Sequence, residues 1–239
     1  MLGLQPVREA LRVHGAKISS VHIDRRDSPR LAALARFATD QGVREVVRVS
    51  RSELDATAAG VAHQGVAAWA PPLDLVPLAT LLERDRLLAI ALDGIQDPHN
   101  FGAVLRSAVG LAGAPVIWGE HASAPLTPAT FRASAGAVEH AELCRVPSLV
   151  GALQEAADRG LEVVGLQAQA AASLREVDLG LPSIIVVGSE HEGLGRAVRR
   201  VCTQHAHLVP RASIDSLNAS VAAAVALYEA VSQRAKSRA

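Results

Sequence analysis

Three short stretches of the chain carry polar residues in patterns that could do chemistry. The first, Leu92 to Ala108, reads L-D-G-I-Q-D-P-H-N-F-G-A-V-L-R-S-A. Asp97-Pro98 makes a turn, and Asn100 is placed to cap the helix that follows. Arg106 comes six positions after Asn100, about one and two-thirds turns, so the two lie on different faces. An arginine in this otherwise apolar helix either snorkels to the surface or aims a fixed planar charge at an anion. The second stretch, Gly188 to Leu194, reads G-S-E-H-E-G-L. Its glycines let a ligand come close to the backbone. Glu190 or Glu192 can pair with Arg106 or receive polar groups of a ligand. The third, Pro210 to Ser220, reads P-R-A-S-I-D-S-L-N-A-S. Ser216 and Asn218 are weak helix-interior residues but suit a helix start, where free N–H groups need acceptors. Taken alone, Ser216 reads equally well as a plain N-cap.

Each stretch follows an apolar strand-like run: Leu88–Leu92, Ile184–Val187 and His207–Val209. The last opens a long Ala/Val-rich helix from Val221 to about Ala235. Further strands are predicted at Val116–Trp118, Leu143–Val146 and Glu162–Leu166. Helices are predicted at Asn100–Leu111, Thr127–Glu139, Leu149–Arg159 and Gly193–Cys202. Strand and helix alternating at crossover spacing predict an α/β fold with a parallel sheet covered on both faces. In such sheets ligands collect beyond the C-terminal ends of the strands, which is where the three stretches fall. Before Leu87 the pattern is a smaller β-α-β-α-β unit with no cluster of catalytic side chains. Pro71-Pro72 and Pro77 break it. The expected organisation is a first domain at 1–70, a linker at 71–86 and a second domain at 87–239.

The chain has 239 residues, 49% hydrophobic but only 3% aromatic, so the core is built from Ala, Val and Leu. Formal net charge is zero, so total charge does not announce a nucleic-acid binder. Arginines cluster locally at Arg25, Arg26 and Arg30, at Arg44, Arg48 and Arg51, and at Arg196, Arg199 and Arg200; each cluster also reads as a solvated face. Cys144 and Cys202 have no C-x-x-C partner and read as ordinary apolar positions. His205-x-His207 and His191-Glu192 are the nearest approaches to ligand sets. No H-E-x-x-H, G-x-S-x-G or post-strand G-x-G-x-x-G occurs, so neither a metal site, a serine hydrolase nor an ordinary dinucleotide fingerprint is expected. There is no apolar run long enough for a membrane span, and the start does not read as a signal peptide. A cytoplasmic protein is expected.

Together and in this order, the three stretches resemble the three motifs of the SpoU/TrmH family, RNA ribose 2′-O-methyltransferases within the SPOUT group. The matching positions are Asn100, Gly102 and Arg106, then Gly188, Glu190 and Gly193, then Pro210, Ser216, Leu217, Asn218 and Ser220. Ser134-Ala135-Gly136-Ala137 is similar to the family's S-A-G-A stretch. The first seventy residues, ending in His63-Gln64-Gly65-Val66, resemble the family's ribosomal-protein-like RNA-binding extension. The arrangement is most similar to bacterial 23S rRNA (guanosine-2′-O)-methyltransferases. Motif three departs from the family, with Arg211-Ala212-Ser213 where Met and a nearby Gly are usual. That departure bears on the RNA target more than on the methyl donor.

The resemblance implies a C-terminal parallel-sheet SPOUT domain with a trefoil knot, a small N-terminal α/β RNA-binding domain, and a homodimer. It implies S-adenosylmethionine as donor, held on backbone near Gly188, Val209 and Leu217. The acceptor it implies is a ribose 2′-hydroxyl of RNA, a guanosine in 23S rRNA. Arg106, Asn100, Glu190, Ser216 and Asn218 are its catalytic set. A guanidinium keeps its proton in proteins. Arg106 is therefore expected to hold the RNA phosphate beside the reacting ribose and stabilise the forming alkoxide. Two alternatives stand beside this reading: a tRNA 2′-O-methyltransferase, and a non-catalytic RNA-binding or ribosome-assembly protein on the same scaffold.

Overall fold

The structure is a computed structural model that describes residues 1–26, 28–121, 126–190, 192–208 and 217–236. The chain forms two compact units, Met1–Leu73 with Leu126–His140, and Asp74–Pro125 with Ala141–Ala239. The first begins with helix α1 (Leu4–His14), strand β1 (Ser20–Asp24), α2 (Pro29–Asp40), β2 (Glu45–Val49), α3 (Arg51–Ala58) and β3 (Val66–Trp69). The strands form a sheet in the order β2-β1-β3, with β2 parallel and β3 antiparallel to β1. Alternating side chains serve two faces. Val21, Ile23, Val66 and Ala68 pack with Val7, Leu11, Leu31 and Leu34. Val49 and Ala67 pack with Leu54 and Ala58 of α3. Helix α3 starts where Ser50 and Glu53 satisfy each other's backbone N–H groups, a capping box.

The second unit carries α4 (Leu78–Leu82), β4 (Leu88–Asp93), α5 (Pro98–Ser107) and β5 (Val116–Gly119). After α6 (Pro128–Ala133), which belongs to the first unit, come β6 (Leu143–Val146), α7 (Leu149–Asp158), β7 (Glu162–Leu166) and β8 (Ala172–Ser173). It ends with β9 (Ser183–Gly188), α8 (Arg196–Val201), β10 (Gln204–His207) and α9 (Ala219–Lys236). The sheet order is β6-β5-β4-β9-β7-β10-β8, and all six pairings are parallel. The parallel sheet read from the alternation is therefore present. Strands β4 and β9 lie at its centre, and their residues from Leu88 to Leu92 and from Ser183 to Gly188 are all buried. Chain order reverses between them, because β5 and β6 extend one way and β7, β10 and β8 the other. Helix α9 packs on α5 and β9. Its Arg234 donates to the carbonyls of Arg86, Leu87, Leu179 and Leu181 at 2.7–2.9 Å.

Several element bounds differ from expectation, three of them for reasons visible in the structure. The last strand is Gln204–His207 rather than His207–Val209. Three of its four residues are polar, and only Ala206 is buried, so hydrophobicity pointed one step too far along the chain. Residues 71–86 contain α4, whose Leu81 and Leu82 are buried in the second unit's core. The expected continuous helix over Thr127–Glu139 is broken. Helix α6 stops at Ala133, Ala135 and Gly136 take positive φ of 52° and 84°, and a 3₁₀ turn covers Ala137–His140.

The cause of that break lies outside the segment. A Cβ on Gly136 would come within 2.8 Å of Glu9 Cβ and 3.2 Å of Pro6 Cα, so α1 passes too close for any side chain. The segment is then fastened by hydrogen bonds between side chains. His14 meets Glu139 at 2.6 Å, and Glu9 meets His140 at 3.0 Å and Arg12 at 2.6 Å. Burial pushes the Glu139 carboxyl above its usual value, against the lowering effect of the His14 hydrogen bond.

Candidate active site

The C-terminal ends of β4 and β9 lie side by side, with Asp93 in register with Gly188. Beyond them described residues of the three stretches are bonded to one another. The loop after β9 closes on itself through Ser189 N to Gly193 O at 3.1 Å and Gly193 N to Ser189 O at 3.0 Å. Gly193 has φ 65°. A Cβ on Gly188 would overlap the carbonyl of Gly193 and the amide nitrogen of Leu194, so the backbone folds back directly over this residue. Asp93 ties the first loop to the second, its Oδ2 accepting from Gly195 N at 2.7 Å.

Three polar side chains from the three motifs meet here. Asn100 Nδ2 donates to Glu190 Oε1 at 2.8 Å, and Asn218 Nδ2 donates to Asn100 Oδ1 at 3.1 Å and to Glu190 Oε1. A carboxylate only accepts, so both amides must turn their NH₂ groups towards it. Asn218 Oδ1 faces the other way, accepting from Ser220 N at 2.9 Å, Ser220 Oγ at 2.6 Å and Val221 N at 3.3 Å. Asn218 therefore caps α9 with one end and holds Glu190 with the other. Asn100 is not the cap of α5. Asp97 fills that role through His99 N at 2.9 Å, with Pro98 at the first helical position. That frees the Asn100 amide for Glu190. The second oxygen of Glu190, Oε2, makes no hydrogen bond among the described residues.

Arg106 makes no bond to this triangle. It is exposed on α5 between buried Leu105 and half-buried Ser107, with no hydrogen bond or ion pair among the described residues. Of the expected cofactor residues, Gly188 is buried and Leu217 exposed at the foot of α9. Val209 and Ser216 lie outside the described residues.

Two residues that the motifs did not mark belong to this region. Gln167 follows β7, two residues beyond the last β7–β9 pair, Gly165 with Val186, and its backbone N–H bonds the Ala206 carbonyl of β10 at 3.0 Å. Its Nε2 is buried with no partner, an orphaned donor among three strand ends that suits a nucleoside's acceptors. With the closely packed backbone at Gly188, this fits an S-adenosylmethionine site. Asp93 is the other. Burial pushes its carboxyl above the usual value, with the Gly195 N–H pulling it down. The folded state thus prefers the neutral acid, and stability declines as pH rises from the ordinary carboxylate range through the raised value. Asp93→Asn keeps an acceptor for Gly195 N–H and carries no charge. Melting curves from about pH 4 to about pH 7 are expected to show the variant gaining on the wild type as pH rises.

The sheet and the site at its order reversal can be set beside known proteins. The chain belongs to the SpoU rRNA methylase family, whose model matches residues 87–228. Residues 2–76 match the substrate-binding domain of RNA 2′-O ribose methyltransferases, and the protein is an enzyme of that class. It is 37% identical over 240 residues to an uncharacterized tRNA/rRNA methyltransferase of Mycobacterium ulcerans, covering 98% of this chain and 77% of the relative. An uncharacterized tRNA/rRNA methyltransferase of Mycobacterium tuberculosis is 36% identical over 244 residues, covering 100% and 75%. Among solved structures, the SpoU methyltransferase AviRb of Streptomyces viridochromogenes in complex with AdoMet superposes with a TM-score of 0.79. It shows 27% identity, over 99% of this chain and 90% of that one.

Proposed function

We propose that the protein transfers a methyl group from S-adenosylmethionine to the ribose 2′-hydroxyl of a guanosine in 23S rRNA. Residues 1–70 bind the RNA and residues 87–239 carry the chemistry. The observation that carries this reading is the Asn100–Glu190–Asn218 triangle, drawn from three motifs far apart in sequence. When bound, the donor supplies an electrophilic methyl group on a sulfonium. Backbone at Gly188, Val209 and Leu217 holds it, with Gln167 Nε2 donating to its nucleoside. Glu190, oriented by the two amides, offers Oε2 to a ribose hydroxyl, and Ser216 helps to align the acceptor. Arg106 holds the neighbouring phosphate and stabilises negative charge as it grows on the 2′-oxygen, whose proton passes to water as the new O–C bond forms and the sulfonium becomes a neutral thioether. Holding both reactants in line supplies much of the acceleration.

The catalytic domain is read as a trefoil knot, supported by the return of α9 onto α5 and β9 after β10. It is read as a homodimer because Leu217, Val221, Val225 and Tyr228 form an exposed apolar stripe at helical spacing on and just before α9. Sedimentation should give twice the 24.9 kDa chain mass, and a monomer would overturn that point. Gathering two copies also brings together the arginine clusters of an otherwise neutral chain. Among the described residues no helix is long and apolar enough to cross a membrane, and the cytoplasm, where ribosomes mature, is the proposed location.

The test incubates the enzyme with labelled donor and, in separate arms, 23S rRNA and tRNA from a strain lacking the gene. Ribose methylation at a 23S guanosine is expected. Label in tRNA alone would overturn the rRNA assignment, and label in neither would overturn the activity. Gln167→Leu is expected to weaken donor binding by calorimetry about tenfold, the loss of one buried hydrogen bond. Unchanged affinity would remove Gln167 from the donor site.

A further inference from the structure

A cleft of about 550 Å³ opens in the first unit between α1 and α2. Leu4 and Arg8 line it from α1, Arg30, Leu34 and Phe37 from α2, and Gln64 from the turn before β3. The spacings i, i+4 on α1 and i, i+4, i+7 on α2 place each set on one helix face. Leu34 is buried and Phe37 half-buried, so the floor is apolar and partly aromatic. Phe37 is one of only three phenylalanines in the chain, which makes an aromatic wall here less easily dismissed as filler.

The rim is positive, with no counter-charge bonded to it among the described residues. Arg8 and Arg30 are exposed, and neither makes a hydrogen bond or ion pair among the described residues. Both helices present their first turns to the cleft, and neither first turn holds an acidic residue or a side-chain cap from its N-cap residue. The only carboxylates of the two helices are placed elsewhere. Glu9 is bonded to Arg12 and His140, and Asp40 ends α2 at the far end. Gln64 sits at φ 53°, and its Oε1 accepts from Leu4 N at 3.0 Å. That bond fixes the side chain and leaves its NH₂ group as an oriented donor.

We propose that this cleft takes one unpaired nucleotide of the RNA substrate. Its phosphate lies between Arg8 and Arg30, its base against Phe37, and its edge on the Gln64 amide. The volume matches clefts that enclose a small molecule. Proteins read single-stranded RNA by stacking splayed bases on aromatic rings and by bonding their edges. Planar guanidiniums match phosphate oxygens in pairs. The inference rests on the RNA-directed reading above and adds where the first unit grips its substrate.

The experiment measures anisotropy of a fluorescein-labelled, unstructured RNA oligonucleotide at several salt concentrations, with calorimetric S-adenosylmethionine binding by the same full-length samples. The double variant Arg8→Ala/Arg30→Ala is expected to bind RNA about tenfold or more weakly, with a salt slope shallower by about one. Phe37→Leu keeps the apolar volume and removes the ring. It is expected to weaken RNA binding about tenfold with the slope unchanged. Both variants should bind the donor as the wild type does, which shows the second unit intact, and should keep the wild-type far-ultraviolet spectrum and melting curve, which certifies the first. RNA binding at wild-type strength in both variants would overturn the cleft while leaving the enzyme reading intact. A weakened double variant with an unchanged slope would overturn the phosphate contact. A wild type that binds the donor but no RNA at any salt would overturn the RNA reading and the cleft with it.

Discussion

Arg106→Ala is expected to lower methyl transfer by about two to three orders of magnitude, the range seen when one donor to a developing oxyanion is removed. Donor binding should stay within about twofold, because no cofactor contact is assigned to this side chain. The structure gives reason to expect a clean loss. Arg106 is exposed on α5 and has no hydrogen bond or ion pair among the described residues, so its removal strands no partner. Its place between Leu105 and Ala108 serves no packing that alanine would lose, since Leu105 and Ala108 themselves fill the core. Arg106→Lys separates two roles. A lysine keeps the charge but not the planar two-point grip, so it should restore only a small part of the rate. Near wild-type turnover in the lysine variant, with unchanged RNA affinity, would sink the phosphate-holding role.

Gly188→Ala should have the largest effect on cofactor binding. The new Cβ would overlap the Gly193 carbonyl and the Leu194 nitrogen, both backbone atoms. That backbone is pinned by the Ser189–Gly193 pair and by Asp93 on Gly195, so it has little freedom to yield. Forced overlap of this kind costs about 1–3 kcal/mol or more, and any relief moves the loop that carries Glu190. We expect donor affinity to fall by about a hundredfold, with a lowered Tm and an unchanged far-ultraviolet spectrum. Gly193→Ala is the control. Nothing lies within 4 Å of its Cβ, and only its φ of 65° opposes the change. Its cost should be about 1 kcal/mol. If Gly188→Ala bound the donor as tightly as the wild type, the donor would not rest on this backbone.

The sheet was legible because β4 and β9 are continuous apolar runs, the mark of a strand buried on both faces. β10 was misplaced because its partners β7 and β8 let polar residues sit half-buried, so hydrophobicity peaked outside it. The break after α6 could not be read locally, since R-A-S-A-G-A has ordinary helical content. The reason for Gly136 is Glu9, far away in sequence. At the candidate site the motif residues Asn100, Glu190 and Asn218 were visible as types and spacings, but their mutual bonding was not. The cap role given to Asn100 belongs to Asp97 because Pro98 sets where α5 starts. Gln167 carried no sequence cue at all, for its distinction is a buried donor without a partner. Asp93 had one that went unused: a carboxylate closing an otherwise apolar strand.

The first unit is assembled from two stretches of chain that are not contiguous. A ribosome making this protein releases α1 long before it reaches Gly136, Glu139 and His140. Until then Pro6 and Glu9 have no glycine turn against them and His14 has no carboxylate. The core between α1 and β3 is made of residues already released, but the face of α1 that meets Gly136, Glu139 and His140 stays uncovered until β4, α5 and β5 have emerged.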